Sequence, residues 1–67
     1  MINERLYELR KMHNLTQKEI AQALGIHSVT YLHYEKGHHE PSLDSIVKIA
    51  KFYDVSTDYL LGNTDKI

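Results

Sequence analysis

This chain of 67 residues lacks several features that mark common classes of protein. It has no cysteine, so neither a disulfide framework nor a cysteine-bound zinc ion can support its fold. Its first residues, MINERLYELRK, contain charges at short intervals, so they predict neither a secretion signal nor a membrane-spanning helix. By elimination we expect one soluble domain in the cytoplasm, with no membrane partner, stabilised by helix packing, helix caps or dimerisation.

Signatures of catalysis are also missing from the sequence. It contains no cysteine nucleophile, no glycine-rich phosphate loop and no HExxH motif, and a chain this short has little room for a closed pocket. No pair of histidines on one predicted helix has the i, i+4 spacing that favours metal chelation. We therefore predict that the protein is not an enzyme and has no cofactor and no metal site.

The balance of charge counts against a nucleic-acid partner. Eight Lys and Arg residues stand against nine Asp and Glu residues and give a net charge of -1. Contact with phosphate relies on Lys and Arg, so this total is unfavourable. The five histidines weaken the objection, because histidine gains positive charge near neutral pH. The pattern of residues therefore carries more weight here than their totals.

The first predicted helix covers residues 3–13. Asn3 is expected to cap its start. Asn14 is expected to end it, because asparagine tolerates the left-handed conformation found at helix ends. Its buried face is predicted from apolar residues that recur three and four positions apart. These are Ile2, Leu6, Leu9 and Met12.

The stretch LTQKEIAQALGIHSVTYLHYEKG predicts two helices joined by a very short connection. Thr16 and Glu19 have the spacing of a capping box, in which a hydroxyl and a carboxylate each bind a free backbone amide. Gly25 follows at the position where a helix end favours positive φ. A third helix over 28–36 then ends at Gly37. Because the connection is so short, the two helices must cross steeply, as in a helix-turn-helix.

The second half of the chain predicts two more helices after Pro41. Ser42 can cap the fourth helix, and Ser56 can cap a short fifth helix that Gly62 ends. The core stripe of the fourth helix is predicted to be Leu43, Ile46, Ile49, Ala50 and Tyr53. The apolar residues that this stripe does not use are Val47 and Phe52 on the fourth helix and Leu60 and Leu61 on the fifth. Two alternatives remain for them, a core wrapped by the fifth helix or a twofold contact between two copies.

One face of the third predicted helix has no place in the core. Tyr31 and Tyr34 are expected to point inward. The opposite side carries Ser28 and a stripe at i, i+3, i+4 and i+7. This stripe consists of Val29, Leu32, His33 and Lys36. A helix held outward on a crossed support fits the major groove of DNA.

The strings LTQKEIAQALGI, YEKG and PSLDSIVKIAKFYDVSTDYLLG resemble the phage repressor/Cro-like (Xre-type) helix-turn-helix family. The resemblance covers residues 4–62 and implies an all-α, compact five-helix domain with a lambda repressor-like fold. We assign residues 1–62 to this domain and 63–67 to a short tail. The family resemblance implies a sequence-specific transcription regulator, by preference a repressor. Such a protein binds double-stranded DNA as a homodimer on a palindromic operator.

The resemblance also implies particular contacts. The residues placed against base edges are Ser28, Val29, Leu32 and His33, where apolar side chains can touch thymine methyl groups. The residues placed against phosphates are Thr16, Gln17, Lys36, His38, His39 and Ser42. Arg10 and Glu35 match a structural ion pair that ties helix one to helix three. A second interpretation stands beside this one: an interaction module, such as an antitoxin, that binds a protein partner through the apolar stripe and DNA only weakly.

Overall fold

Residues 2–67 are described by a computed structural model and form five helices. They are α1 (Ile2–Met12), α2 (Gln17–Leu24), α3 (Ser28–Lys36), α4 (Leu43–Tyr53) and α5 (Thr57–Leu60). Helix α3 packs against α1 and α2, and α5 packs against α1 and α4. Within residues 2–67, no helix is both long enough and apolar enough to cross a lipid bilayer.

The local signals for the starts of α2, α4 and α5 and for the end of α1 are confirmed. Thr16 and Glu19 form the predicted capping box at the start of α2. Ser42 and Ser56 cap α4 and α5 with their hydroxyl groups. Asn14 has a φ of 54°, so it adopts the left-handed conformation that was expected to end α1. These features depend only on neighbours in sequence, which is why the pattern of residues identified them.

Three expectations about single positions are wrong. Asn3 does not cap α1, because the helix already begins at Ile2, which is buried in the core. Met12 is 62% exposed, because the turn after α1 brings Leu15 against the core instead. Leu43 is 76% exposed at the first position of α4, whereas Pro41, two residues earlier, is buried.

The core lies between all five helices. Its fully buried side chains are Leu6, Leu9, Ile20, Tyr31, Ile49 and Leu60. Leu60 therefore belongs to a core that α5 covers, as the first of the two alternatives expected. Val47, Phe52 and Leu61 remain 38–43% exposed and are free for contacts outside the domain.

The last residues of the chain return to α1. Arg5 Nη2 donates to Asp65 Oδ1 over 2.9 Å and to the Thr64 carbonyl oxygen over 3.5 Å. The Arg5 guanidinium also lies over the Tyr59 ring, 4.1 Å from its centroid. The tail, α1 and α5 are therefore joined through one arginine.

Candidate nucleic-acid interface

Gly25 makes the corner between α2 and α3. Its φ of 71° is left-handed, and its N–H bonds back to the carbonyl oxygens of Ala21 and Gln22. Ile26 N–H bonds to the Ala21 carbonyl oxygen over 3.0 Å, which completes the helix end. A Cβ at Gly25 would meet nothing within 4 Å. Glycine is therefore favoured here by the backbone conformation and not by lack of space.

Tyr31 fastens α3 to the domain. It is the largest of the fully buried side chains. Its hydroxyl group lies near the Glu35 carboxylate without meeting the geometry of a hydrogen bond. Burial, followed by the nearby Glu35 carboxylate, raises the pKa of Tyr31 well above its usual value, so the phenol stays neutral. Tyr31 thus anchors the inner side of α3, together with Tyr34, which is partly buried against the core.

The outer face of α3 is exposed at both ends and half-covered in the middle. Ser28 and Lys36 are exposed, and Val29 is 56% exposed. Leu32 and His33 are half-buried rather than fully exposed, so the predicted stripe is not one open surface. The two ends of the helix therefore offer more accessible contacts than its centre.

The loop after α3 folds back over His33. His38 N–H bonds to the His33 carbonyl oxygen over 2.9 Å, in the helix ending that Gly37 creates. The His33 ring centroid lies 5.4 Å from that of His38 and 5.3 Å from that of His39. Its Nδ1 is buried without a partner within residues 2–67. No spacing in the sequence predicts this histidine cluster, although a glycine at a helix end is a signal that the chain turns back there.

Thr16 and Gln17 stand at the start of α2. Thr16 Oγ1 accepts from the Glu19 backbone N–H over 3.1 Å, and Thr16 N–H donates to Glu19 Oε1 over 2.8 Å. The hydrogen bonds from Thr16 lower the pKa of Glu19. Gln17 Nε2 donates to Glu35 Oε1 over 3.2 Å, a contact that no spacing in the sequence predicts.

Arg10 and Glu35 form a bidentate ion pair between α1 and α3. Arg10 Nε donates to Glu35 Oε2 over 2.8 Å, and Nη2 donates to Oε1 over 2.9 Å. The two side chains are only 10% and 6% exposed. Burial acts to raise the pKa of Glu35, but hydrogen bonds led by those from Arg10 outweigh it and lower that pKa. Arg10 Nη1 also donates to the Leu15 carbonyl oxygen over 3.0 Å, just before α2 begins.

Ser42 and His39 lie beside the surface that Val29 and His33 form on α3. The Ser42 hydroxyl caps α4 by accepting from Ser45 N–H over 3.2 Å, and it lies 3.1 Å from the Ser45 hydroxyl. Val29, His33, His39 and Ser42 line one open groove. Residues predicted to contact bases and residues predicted to contact phosphates therefore lie together in this groove. Within residues 2–67, no three His, Cys, Asp or Glu side chains are placed to share a metal ion.

Two helices joined through a left-handed glycine, with the second anchored in the core by Tyr31 and exposed at its start, form a helix-turn-helix. The family HTH_3, described as helix-turn-helix, matches residues 6–60, and the chain belongs to this family. The expected family and the all-α fold are both confirmed.

Similar proteins are regulators of transcription by name. The uncharacterized HTH-type transcriptional regulator YobD of Bacillus subtilis is 46% identical over 97% of this chain and 58% of its own length. The cryptic phage CTXphi transcriptional repressor RstR of Vibrio cholerae is 37% identical over 97% of this chain and 59% of its own. A transcriptional regulator from Listeria innocua has a similar crystal structure, with a TM-score of 0.89 and 27% identity over 100% of this chain and 63% of that one. The chain thus spans less than two thirds of each of these relatives.

Proposed function

We propose that this domain binds DNA in a sequence-specific transcriptional regulator that acts as a repressor in the cytoplasm, without catalysis. The observation that carries the proposal is the placement of α3. Tyr31 buries one side of the helix, while Ser28 and Val29 at its start stay exposed. Residues near the start of such a helix meet base edges when it enters the major groove. The names of the relatives support both the regulation of transcription and its repression.

In the proposed complex, Val29 and Ser28 read bases at the start of α3, with Leu32 and His33 behind them. The residues assigned to backbone phosphates are Thr16, Gln17, Lys36, His38, His39 and Ser42. Gln17 lies at the start of α2, where free backbone N–H groups also favour an anion. This set contains one lysine and no arginine, so the salt dependence of binding should be shallow.

Two copies of the domain are proposed to bind one palindromic site. A single short helix offers few base contacts, so a second half-site is needed for tight binding. Val47, Phe52 and Leu61 are exposed apolar side chains that support contact between copies. The half-sites would then lie about 34 Å apart, one turn of the duplex.

Selection from a random DNA pool at low salt tests this function. We expect the bound fraction to become enriched in a palindrome whose half-sites are about 10 base pairs apart, centre to centre. The same selection with the beads alone provides the background. A pool that shows no enriched sequence would contradict the proposal and would favour the interaction module that binds a protein partner.

The proposed phosphate contacts of His38 and His39 predict that binding strengthens as pH falls. Both side chains are exposed, between Lys36 and Glu40 in sequence. An imidazolium attracts phosphate, whereas a neutral imidazole ring carries no charge with which to do so. Affinity should therefore rise for the wild type as the pH is lowered and rise much less for His38→Gln/His39→Gln, in which His33 remains in the interface.

A histidine elsewhere provides the control for this pH dependence. His13 Nδ1 lies 2.9 Å from the Leu9 carbonyl oxygen, and its ring packs against Tyr53. His13→Gln should keep the wild-type pH dependence. An equal rise in affinity for wild type and His38→Gln/His39→Gln would remove these two histidines from the phosphate contacts.

A further inference from the structure

The buried ion pair between Arg10 and Glu35 has a third member at the start of α2. Gln17 Nε2 donates to Glu35 Oε1, and the same oxygen accepts from Arg10 Nη2. Gln17 is half-buried at this position. A residue that we assign to phosphate is therefore bonded to a pair that the family resemblance implies only for structure.

The hydrogen bond to Glu35 decides which end of the Gln17 amide faces inward. A carboxamide carries two N–H hydrogens on nitrogen and one acceptor oxygen, whereas an ionised carboxylate only accepts. The amide must therefore turn Nε2, and not Oε1, toward Glu35. One Nε2 hydrogen is used in this contact, and the second remains for another acceptor. A phosphate oxygen is such an acceptor.

The charge of Glu35 would oppose a nearby phosphate if it were not balanced. Arg10 provides that balance by donating to both carboxylate oxygens. The lowered pKa of Glu35 keeps the carboxylate ionised, and therefore accepting, at neutral pH. Glu35, which orients Gln17, and Arg10 therefore carry no net charge as a pair.

We propose that Glu35 is a positioning residue for DNA binding, which holds the Gln17 carboxamide so that one Nε2 hydrogen is directed to a phosphate oxygen. This inference rests on the proposed function, because it requires that Gln17 contacts the DNA backbone. Glu35 itself does not touch DNA in this arrangement. Its effect on affinity passes entirely through Gln17.

Replacing both members of the ion pair separates positioning from folding. Arg10→Met/Glu35→Met removes one charge of each sign, and exchanging a buried ion pair for apolar side chains often preserves stability. We expect this double variant to bind the selected DNA about tenfold more weakly, as we also expect of Gln17→Ala, because each loses the hydrogen bond from Gln17 to a charged phosphate. Adding Gln17→Ala to the double variant should cause no further loss. Fluorescence anisotropy gives the affinities, and circular dichroism checks that each variant is folded.

The possible outcomes distinguish the inference from the proposed function. Wild-type affinity of the double variant, or a full further loss on adding Gln17→Ala, would overturn the positioning role while the proposed function stands. An unchanged affinity of Gln17→Ala alone would remove Gln17 from the phosphate contacts and end the inference. A wild-type chain that selects no DNA would overturn the proposed function itself.

Side-chain amide NMR on the wild-type chain tests the same contact without any substitution. Gln22 is exposed, and its side chain has no hydrogen-bond partner within residues 2–67, so it serves as the internal reference. In the free protein, the two Nε2 protons of Gln17 should resonate further apart than those of Gln22. Adding DNA should then shift mainly the resonance of the Gln17 Nε2 proton that does not face Glu35. Equal separations at Gln17 and Gln22 would contradict the inference.

Discussion

We expect the replacement of Glu35 with alanine to lower the melting temperature of the domain by about 15 °C or more. The Arg10 side chain, which is 10% exposed, then keeps its charge after losing both carboxylate acceptors. Removing one partner of a buried ion pair costs about 3–5 kcal/mol. In a domain of this size each kcal/mol shifts the melting temperature by about 4–8 °C. Thermal unfolding followed by circular dichroism measures the change directly.

Two matched variants show whether the loss comes from the stranded charge. Glu8 is an exposed glutamate on α1, and Glu8→Ala should melt close to the wild type because its charge is solvated. Arg10→Met/Glu35→Met should also melt far above Glu35→Ala, since no unpaired charge stays buried. A Glu35→Ala melting curve that overlays the wild type would mean that the ion pair contributes nothing to folding.

The helix boundaries could be predicted from sequence because their causes are local. The Thr16–Glu19 capping box and the left-handed residues Asn14 and Gly25 each act within a few positions of the chain. The burial of single side chains was harder to predict, because it depends on which residues of other helices pack against them. Met12 and Leu43 have the correct helical spacing, but each sits at a helix end with nothing packed over it.

The connections within the candidate site could not be predicted from spacing. Gln17 and Glu35 are 18 residues apart on different helices, and no sequence pattern joins them. The covering of His33 by His38 and His39 depends on how the loop after Gly37 returns onto α3. Pairing of Arg10 with Glu35 was expected only because the family resemblance implied it.

Val29 offers the sharpest test of the DNA-facing side of α3. It is 56% exposed at the second position of the helix and lies among the residues proposed to meet base edges. Val29→Glu should weaken binding to the selected DNA at least about 100-fold, because a carboxylate against the duplex costs several kcal/mol. The fold should not suffer, since a negative charge near a helix start is favourable and Glu is a better helix former than Val. Loss of binding with an unchanged melting curve therefore comes from the interface itself.

Val29→Gln is the control that separates charge from shape, because glutamine has almost the same form as glutamate but is neutral. It should lose only the apolar contact and bind considerably better than Val29→Glu. Asn63→Glu adds the same charge after α5, which packs against α1 and α4, and should leave affinity near the wild-type value. Raising the salt concentration should narrow the gap between Val29→Gln and Val29→Glu, because salt screens exposed charges. Equal affinities of Val29→Glu and the wild type would place the start of α3 away from DNA, and its exposed apolar side chain would then be explained better by a protein partner.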